Sequence, residues 1–420
     1  LSWPVPLNEE DVSRLADATA LPVSDLPVTM LSASERQPGL AAFSHALEKR
    51  SDGRCSYLIE EGCSLHNVAK PSMCQLFPYT FMDTPDGTYV GLSFASTGVL
   101  GNSGRLLSEQ PAEVDSMLVL FRQLFPLLEQ ETIEGFNNLQ LIEGLIITFE
   151  QYKILEKPLI DDLERALKDS FKGGSIEFGE AEIKAIQPLT ALQILGAFQQ
   201  SLYDVCTTQC SHANVKSPWQ ARLPGSVAKP RQIDQFLLAA FAQAFFGSDT
   251  SRLVNDRLIA ETISALLMAP PEGFKIPLND GLFSTVQLLD KKLGPLPPAF
   301  ENLLLRFVYV RVFAKMYFGP GFCGLTLMAG SAHLILVVVL LKLAVKARLL
   351  GLKDMFAALP DDIAQIQIRN FDDNYVWFCQ LLRQLDSKLT SVRYGANTRA
   401  MLEIFALDPE RYKRLIDLSA

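Results

Sequence analysis

The sequence predicts a mainly α protein, with a small N-terminal α+β cysteine-cluster unit that carries a β-hairpin, followed by a large all-α helical domain. Three observations predict it. Apolar residues recur at helical spacing almost everywhere from about residue 113 onward. Cys55, Cys63 and Cys74 crowd into an irregular, loop-rich stretch near the start, whereas Cys206, Cys210, Cys323 and Cys379 sit in helix-like apolar surroundings. A strand–turn–strand pattern follows the cluster directly. The chain has 420 residues, 48% of them apolar and 20% charged, which is ample for a buried core in more than one domain.

Taken in order, Asn8 reads as the N-cap of a short helix through Asp11, Val12, Leu15 and Ala16. A second helix is expected over residues 40–49. Ser51-Asp52-Gly53 is turn chemistry. Residues 79–82 and 88–94 read as strands, and Asp83-Thr84-Pro85-Asp86-Gly87 between them makes a hairpin. Gly98, Gly101, Asn102 and Gly104 mark a loop, and the domain boundary is placed near residue 110, giving domains 1–110 and 111–420. Helical spacing then links Val114, Met117, Leu118, Phe121, Leu124 and Phe125, and again Leu139, Leu141, Ile142, Leu145, Ile146 and Phe149. Further helices fit 158–172, 189–210, 232–246, 251–268, 297–318, 324–349, 373–389 and 397–406, with a long loop at 211–231. No fixed period recurs, which argues against a solenoid.

Residues 317–341 carry no charge and are long enough to span a bilayer. Gly319-Pro320-Gly321 breaks the start, however, and Lys342 and Lys346 interrupt the other end. With Ser331 and His333 inside it, the segment is read as a core helix, and membrane attachment as the weaker alternative. Lys and Arg total 38 against 47 Asp and Glu, a formal charge of −9, so a nucleic-acid partner is not expected. The chain opens Leu1-Ser2-Trp3 with no basic-then-apolar signal pattern. Seven cysteines in a chain too large to need disulfide staples suggest a cytoplasmic protein with ligand thiolates and ordinary buried thiols.

The cluster reads Asp52-Gly53-Arg54-Cys55-Ser56-Tyr57-Leu58, then Gly62-Cys63-Ser64-Leu65-His66, then Lys70-Pro71-Ser72-Met73-Cys74-Gln75-Leu76-Phe77-Pro78, a C-x7-C-x10-C spacing. Thiolates are soft, charged donors for zinc, iron or iron–sulfur clusters, and Gly or Pro beside each cysteine helps the backbone bend them toward one point. The spacing alone leaves the metal open, with three buried thiols as the plain alternative.

This wording resembles the YkgJ-type cysteine-cluster proteins, a group that includes the flagellin lysine-N-methylase (FliB-like) branch. Cys55, Cys63, His66, Pro71, Cys74, Phe77 and Pro78 match the family's pattern, and Tyr89-Val90-Gly91-Leu92-Ser93-Phe94 looks like its strand after the cluster. The match covers roughly residues 1–105. It implies metal ligation by Cys55, Cys63 and Cys74. Two departures stand out. The family's leading cysteines would precede Leu1, which suggests N-terminal truncation, and Ser96 stands where a further cysteine is usual. The family accepts Tyr at the place of His66, which implies a packing role there rather than ligation.

Other candidates carry less. Cys206 and Cys210 share a helical face and, with His212, suggest a second metal site less readily than a buried face and helix end. A radical-SAM reading of C-x3-C fails at Ala213. Gly319-x-Gly321-x-x-Gly324 has dinucleotide-fingerprint spacing in a helical context, which favours a helix–helix turn. Asp161-Asp162, Asp361-Asp362 and Asp372-Asp373 read as helix-terminal charge, and His45, His66, His212 and His333 are the only imidazoles.

Two functions follow as expectations. The resemblance implies methyl transfer from S-adenosylmethionine to a lysine of a flagellin-like protein substrate, with no catalytic or cofactor-binding residue assignable. The alternative is a non-enzymatic, metal-stabilised binding or scaffold module.

Overall fold

A computed structural model describes residues 5–32, 43–51, 54–60, 62–172, 189–213, 238, 241, 245, 275–278, 281–284, 296–355 and 371–418. Among them the protein is mainly α, and it divides into two compact units, Leu1–Glu134 and Gly135–Ala420.

The first unit begins with β1 (Pro6–Asn8), α1 (Glu9–Thr19), β2 (Val28–Met30) and β3 (Phe43–Leu47). The strands form an antiparallel sheet in the order β1-β3-β2. Asn8 caps α1 as its sequence suggests. Asp11 N donates to Asn8 Oδ1 at 2.7 Å and Asn8 N donates to Asp11 Oδ2 at 3.4 Å, a reciprocal capping box. Val12 and Leu15 then pack with Leu7, Leu26, Leu47, Leu65 and Ala69.

The helix expected over 40–49 is instead β3. Phe43, Ala46 and Leu47 fit a helical period, but this segment lies between two partners and both its edges are hydrogen-bonded, pairing His45 with Leu7 on one side and Ala46 with Thr29 on the other. A central position in a ladder satisfies the backbone groups there, and that outweighs a short apolar pattern.

The chain continues through β4 (Leu58–Ile59), β5 (Gly62–Cys63), α2 (Ser72–Leu76), β6 (Tyr79–Thr84) and β7 (Gly87–Leu92). The expected hairpin is β6–β7, closed by Pro85-Asp86 with Thr84 opposite Gly87, whose φ of 135° needs a residue without Cβ. After α3 (Thr97–Leu100) comes α4 (Pro111–Leu124), which lays Phe121 on Phe81 with ring centres 5.3 Å apart. Phe125, at its end, meets Phe43 at 5.9 Å. This aromatic packing carries the first unit past residue 110, and α5 (Leu128–Asn137) leads to the second unit.

The second unit is helical but not all-α. Residues 139–149, expected as a helix, hold a hairpin of β8 (Gln140–Ile142) and β9 (Leu145–Ile146). Gly144, at φ 82°, reverses the chain where a helix would have to run on. Then come α6 (Phe149–Lys172), α7 (Ala191–Ala213), a second hairpin of β10 (Lys275–Leu278) and β11 (Gly281–Ser284), α8 (Pro298–Phe313), α9 (Leu327–Met355), α10 (Phe371–Ser391), α11 (Ala396–Ala406) and α12 (Pro409–Leu418). The helices expected at 232–246 and 251–268, and most of the loop at 211–231, lie outside the described residues.

Helix α9 forms the middle of this unit and packs against α7, α10, α11, α12 and β8. By length and composition Leu327–Lys346 could cross a membrane, yet protein covers the whole stretch, as a core helix requires.

Candidate metal centre

The cysteine-bearing segment is anchored by a buried carboxylate. Asp11 accepts from Ser72 N at 2.9 Å and from Ser72 Oγ at 2.8 Å, and also pairs with Arg14. Ser72 opens α2, so an acidic side chain of α1 holds the first turn of the helix that carries Cys74. The Phe77-Pro78 peptide is cis and turns the chain from α2 into β6.

Cys55 forms a bridge with Lys49 and packs, with Tyr57, on the Val12–Leu15–Leu65 cluster. Cys63 is exposed on β5, paired with Leu58 of β4. The intervening turns are fixed by backbone bonds: Leu58 N to Cys55 O and His66 N to Cys63 O, each 3.0 Å. Tyr57 O accepts from both Ser64 N and Ser64 Oγ, at 2.9 and 3.1 Å.

Electrostatics ties the three thiols together. Burial pushes the Cys74 thiol up to about 12. The Cys55 charge adds to this, Lys70 opposes it, and Cys63 and Asp11 contribute further in the same direction as Cys55. The three thiols thus stand on three elements of the first unit: an isolated β-bridge, β5 and α2. Their chemistry suits a soft ion. Yet no three His, Cys, Asp or Glu side chains among the described residues stand close enough to hold one as they are. Ligation requires Cys63, which faces outward, to draw in toward Cys74.

One neighbouring donor lacks a partner. The Tyr57 hydroxyl is buried and makes no hydrogen bond. No spacing rule flagged it, because an aromatic residue after a cysteine reads as packing. His66 is exposed. Ser96, where the sequence resemblance led to the expectation of a further cysteine, is the N-cap residue of α3, and its carbonyl accepts from Leu100 N at 3.0 Å.

The remaining candidates do not form a second site among the described residues. Cys206 is buried on α7, while the side chains of Cys210 and His212 lie outside those described. Gly319, Gly321 and Gly324 belong to the turn between α8 and α9, not to a strand–helix loop. Asp161 and Asp162 lie on α6 and pair with Lys157 and Arg165. Asp361 and Asp362 fall outside the described residues, and Asp373 is exposed.

The second unit buries a different chemistry. Lys315 Nζ donates to both oxygens of Glu156 at 2.7 Å, and Tyr152 Oη donates to the same carboxylate. Burial raises the Glu156 carboxyl, and Lys315 opposes that rise. Arg311 pairs with Asp386 at 2.5 Å, both side chains almost wholly covered. His333 shares a 2.8 Å hydrogen bond with Tyr394 Oη, and burial, assisted by Arg311, holds its imidazole down at about 3.

Comparison of the chain with family models, with curated proteins and with solved structures gives no match in any of the three.

Proposed function

We propose that the first unit is a metal-binding cysteine cluster in which Cys55, Cys63 and Cys74 are the sulfur donors to zinc or iron. What supports this reading is that separate elements of one small unit carry the three thiols: Cys55 at the bridge with Lys49, Cys63 on β5 and Cys74 on α2. An ion that draws sulfur donors from separate elements of one small unit cross-links the fold. The thiols lose their protons on ligation, so uptake weakens as pH falls. Protein purified anaerobically in reducing buffer is expected to contain an equimolar metal ion by elemental analysis, and Cys74→Ser to contain far less. Equal metal in the two proteins, or none in either, would remove the reading.

Methyl transfer to a lysine-bearing protein rests on the sequence resemblance. A calorimetric titration with S-adenosylmethionine tests it separately, and the absence of heat at millimolar cofactor would leave the metal-stabilised scaffold.

A further inference from the structure

Successive side chains of a strand leave it on opposite faces. β3 breaks that alternation at one place. Its register against β1 pairs His45 with Leu7 and Phe43 with Asn8, so Ser44 is an extra residue, a β-bulge. A bulge re-aims a side chain, and here it brings two consecutive residues into contact, with Ser44 Oγ 2.9 Å from His45 Nδ1. The bulge also stands against the start of α1, where Ser44 Oγ donates to Glu9 Oε1 at 2.5 Å. Glu9 Oε1 lies 4.0 Å from His45 Nδ1, which closes a triangle of hydroxyl, carboxylate and imidazole. The Glu9 side chain is 78% exposed and that of His45 only 13%, so the triangle is open to solvent on its carboxylate side and held by a covered imidazole on the other.

A hydroxyl within hydrogen-bond reach of a base, with a third group fixing the pair, is the arrangement of an activated nucleophile. The Ser44 hydroxyl has one proton. With that proton donated to Glu9, the imidazole meets Oγ as an Nδ1–H donor, which steadies negative charge on Oγ as the proton leaves. We infer that Ser44 is a nucleophile for acyl transfer from carboxylic esters, with Glu9 as its base and His45 as the donor that positions Oγ. Oγ bonds to the ester carbonyl carbon while its proton passes to Glu9. The bond from that carbon to the leaving oxygen breaks, and Glu9 returns the proton to the departing alcohol. Water then attacks the acyl-serine by the same proton path, releasing the acid and restoring Ser44. Met30, paired opposite His45 on β2 and 68% exposed, offers apolar surface to the acyl chain. The site shares no residue with the cysteine cluster and stands independently of it.

The test treats the full chain with a fluorophosphonate, which reports nucleophilic serines by forming an Oγ–P bond as fluoride leaves, and locates the adduct by peptide mass spectrometry. Tryptic cleavage after Arg36 and Lys49 gives a peptide in which Ser44 is the one serine, so the map is unambiguous. Wild type is expected to carry the adduct on that peptide and to hydrolyse p-nitrophenyl acetate with an initial burst. Ser44→Ala is expected to lose both. Glu9→Gln, a change at an exposed side chain, is expected to label about a hundredfold more slowly, the loss typical of a removed general base, with an unchanged unfolding midpoint. Wild type without an adduct on this peptide overturns the assignment, and so does a Glu9→Gln protein that labels as fast as wild type. Should Ser44→Ala fail to fold, the wild-type map and the Glu9→Gln rate decide.

Discussion

Both units pair their buried carboxylates, in the first Asp11 with Arg14 and Asp83 with Arg122, but they differ in what else they hold. In the second, charged groups lie deep within helical packing and neutralise one another: Lys315 with Glu156, Arg311 with Asp386. In the first, the candidate donors sit at an isolated bridge, on a two-residue strand and on a five-residue helix, and burial together with neighbouring groups raises the proton affinity of the half-buried Cys74 thiol. The paired charges of the second unit satisfy one another, whereas the proposed metal site of the first unit would be completed only by an ion. The contrast teaches where to look for function. On the proposed reading it lies with groups whose surroundings are incomplete, not with those buried most completely.

Breaking the closed network should give the largest effect. Lys315→Met leaves the Glu156 carboxylate uncompensated in the core, and a loss of about 3–5 kcal/mol is expected in denaturant unfolding. Combining Lys315→Met with Glu156→Leu should recover much of that loss, since removing both charges leaves none stranded. A double replacement as unstable as the single one would show that packing, not charge, dominates there.

The second effect is in pH. The His333 imidazole is held at about 3 in the folded protein against an ordinary value near 6.5. Between those values the unfolded chain binds a proton that the folded chain refuses, so stability falls as pH drops from about 6.5 toward about 3 and is unaffected by this group above that range. The total is of the order of a few kcal/mol, and His333→Phe should flatten this part of the stability curve. An unchanged slope in the variant would assign the acid sensitivity to the carboxylates.

The smallest expected effect lies in the first unit. Asp11→Ala removes the far half of the capping box and the acceptor for Ser72, at a cost of about 1–2 kcal/mol. A loss as large as that from Lys315→Met would mean that the first unit is also built around one indispensable buried charge.

Some of this was legible in the sequence. Asn8 with acidic residues in the next turn announced α1, and Pro85-Asp86-Gly87 announced the hairpin, because caps and turns are read from a few adjacent residues. The apolar run of α9 was read as a core helix for the charges that bound it, and it is covered throughout. Residues 43–47 and 139–149 were misread because short apolar runs fit either period, and the choice between them was made by strand partners distant in sequence or by a single reversing glycine. At the candidate centre, the sequence supplied the three cysteines. It could not show that Asp11 would grip Ser72, 61 residues further along the chain, or that the Tyr57 hydroxyl would be left without a partner.

The turn before α9 has a further consequence. A methyl group on Gly321 would stand 1.9 Å from the carbonyl oxygen of Lys315, and one on Gly330 would stand 2.3 Å from that of Tyr317. Lys315 and Cys323 meanwhile adopt left-handed backbone at φ 58° and 54°. The path into the central helix is thus specified by main-chain atoms touching main-chain atoms. At those two glycines a side chain has almost no room, so alanine at either would force the backbone around α9 to shift.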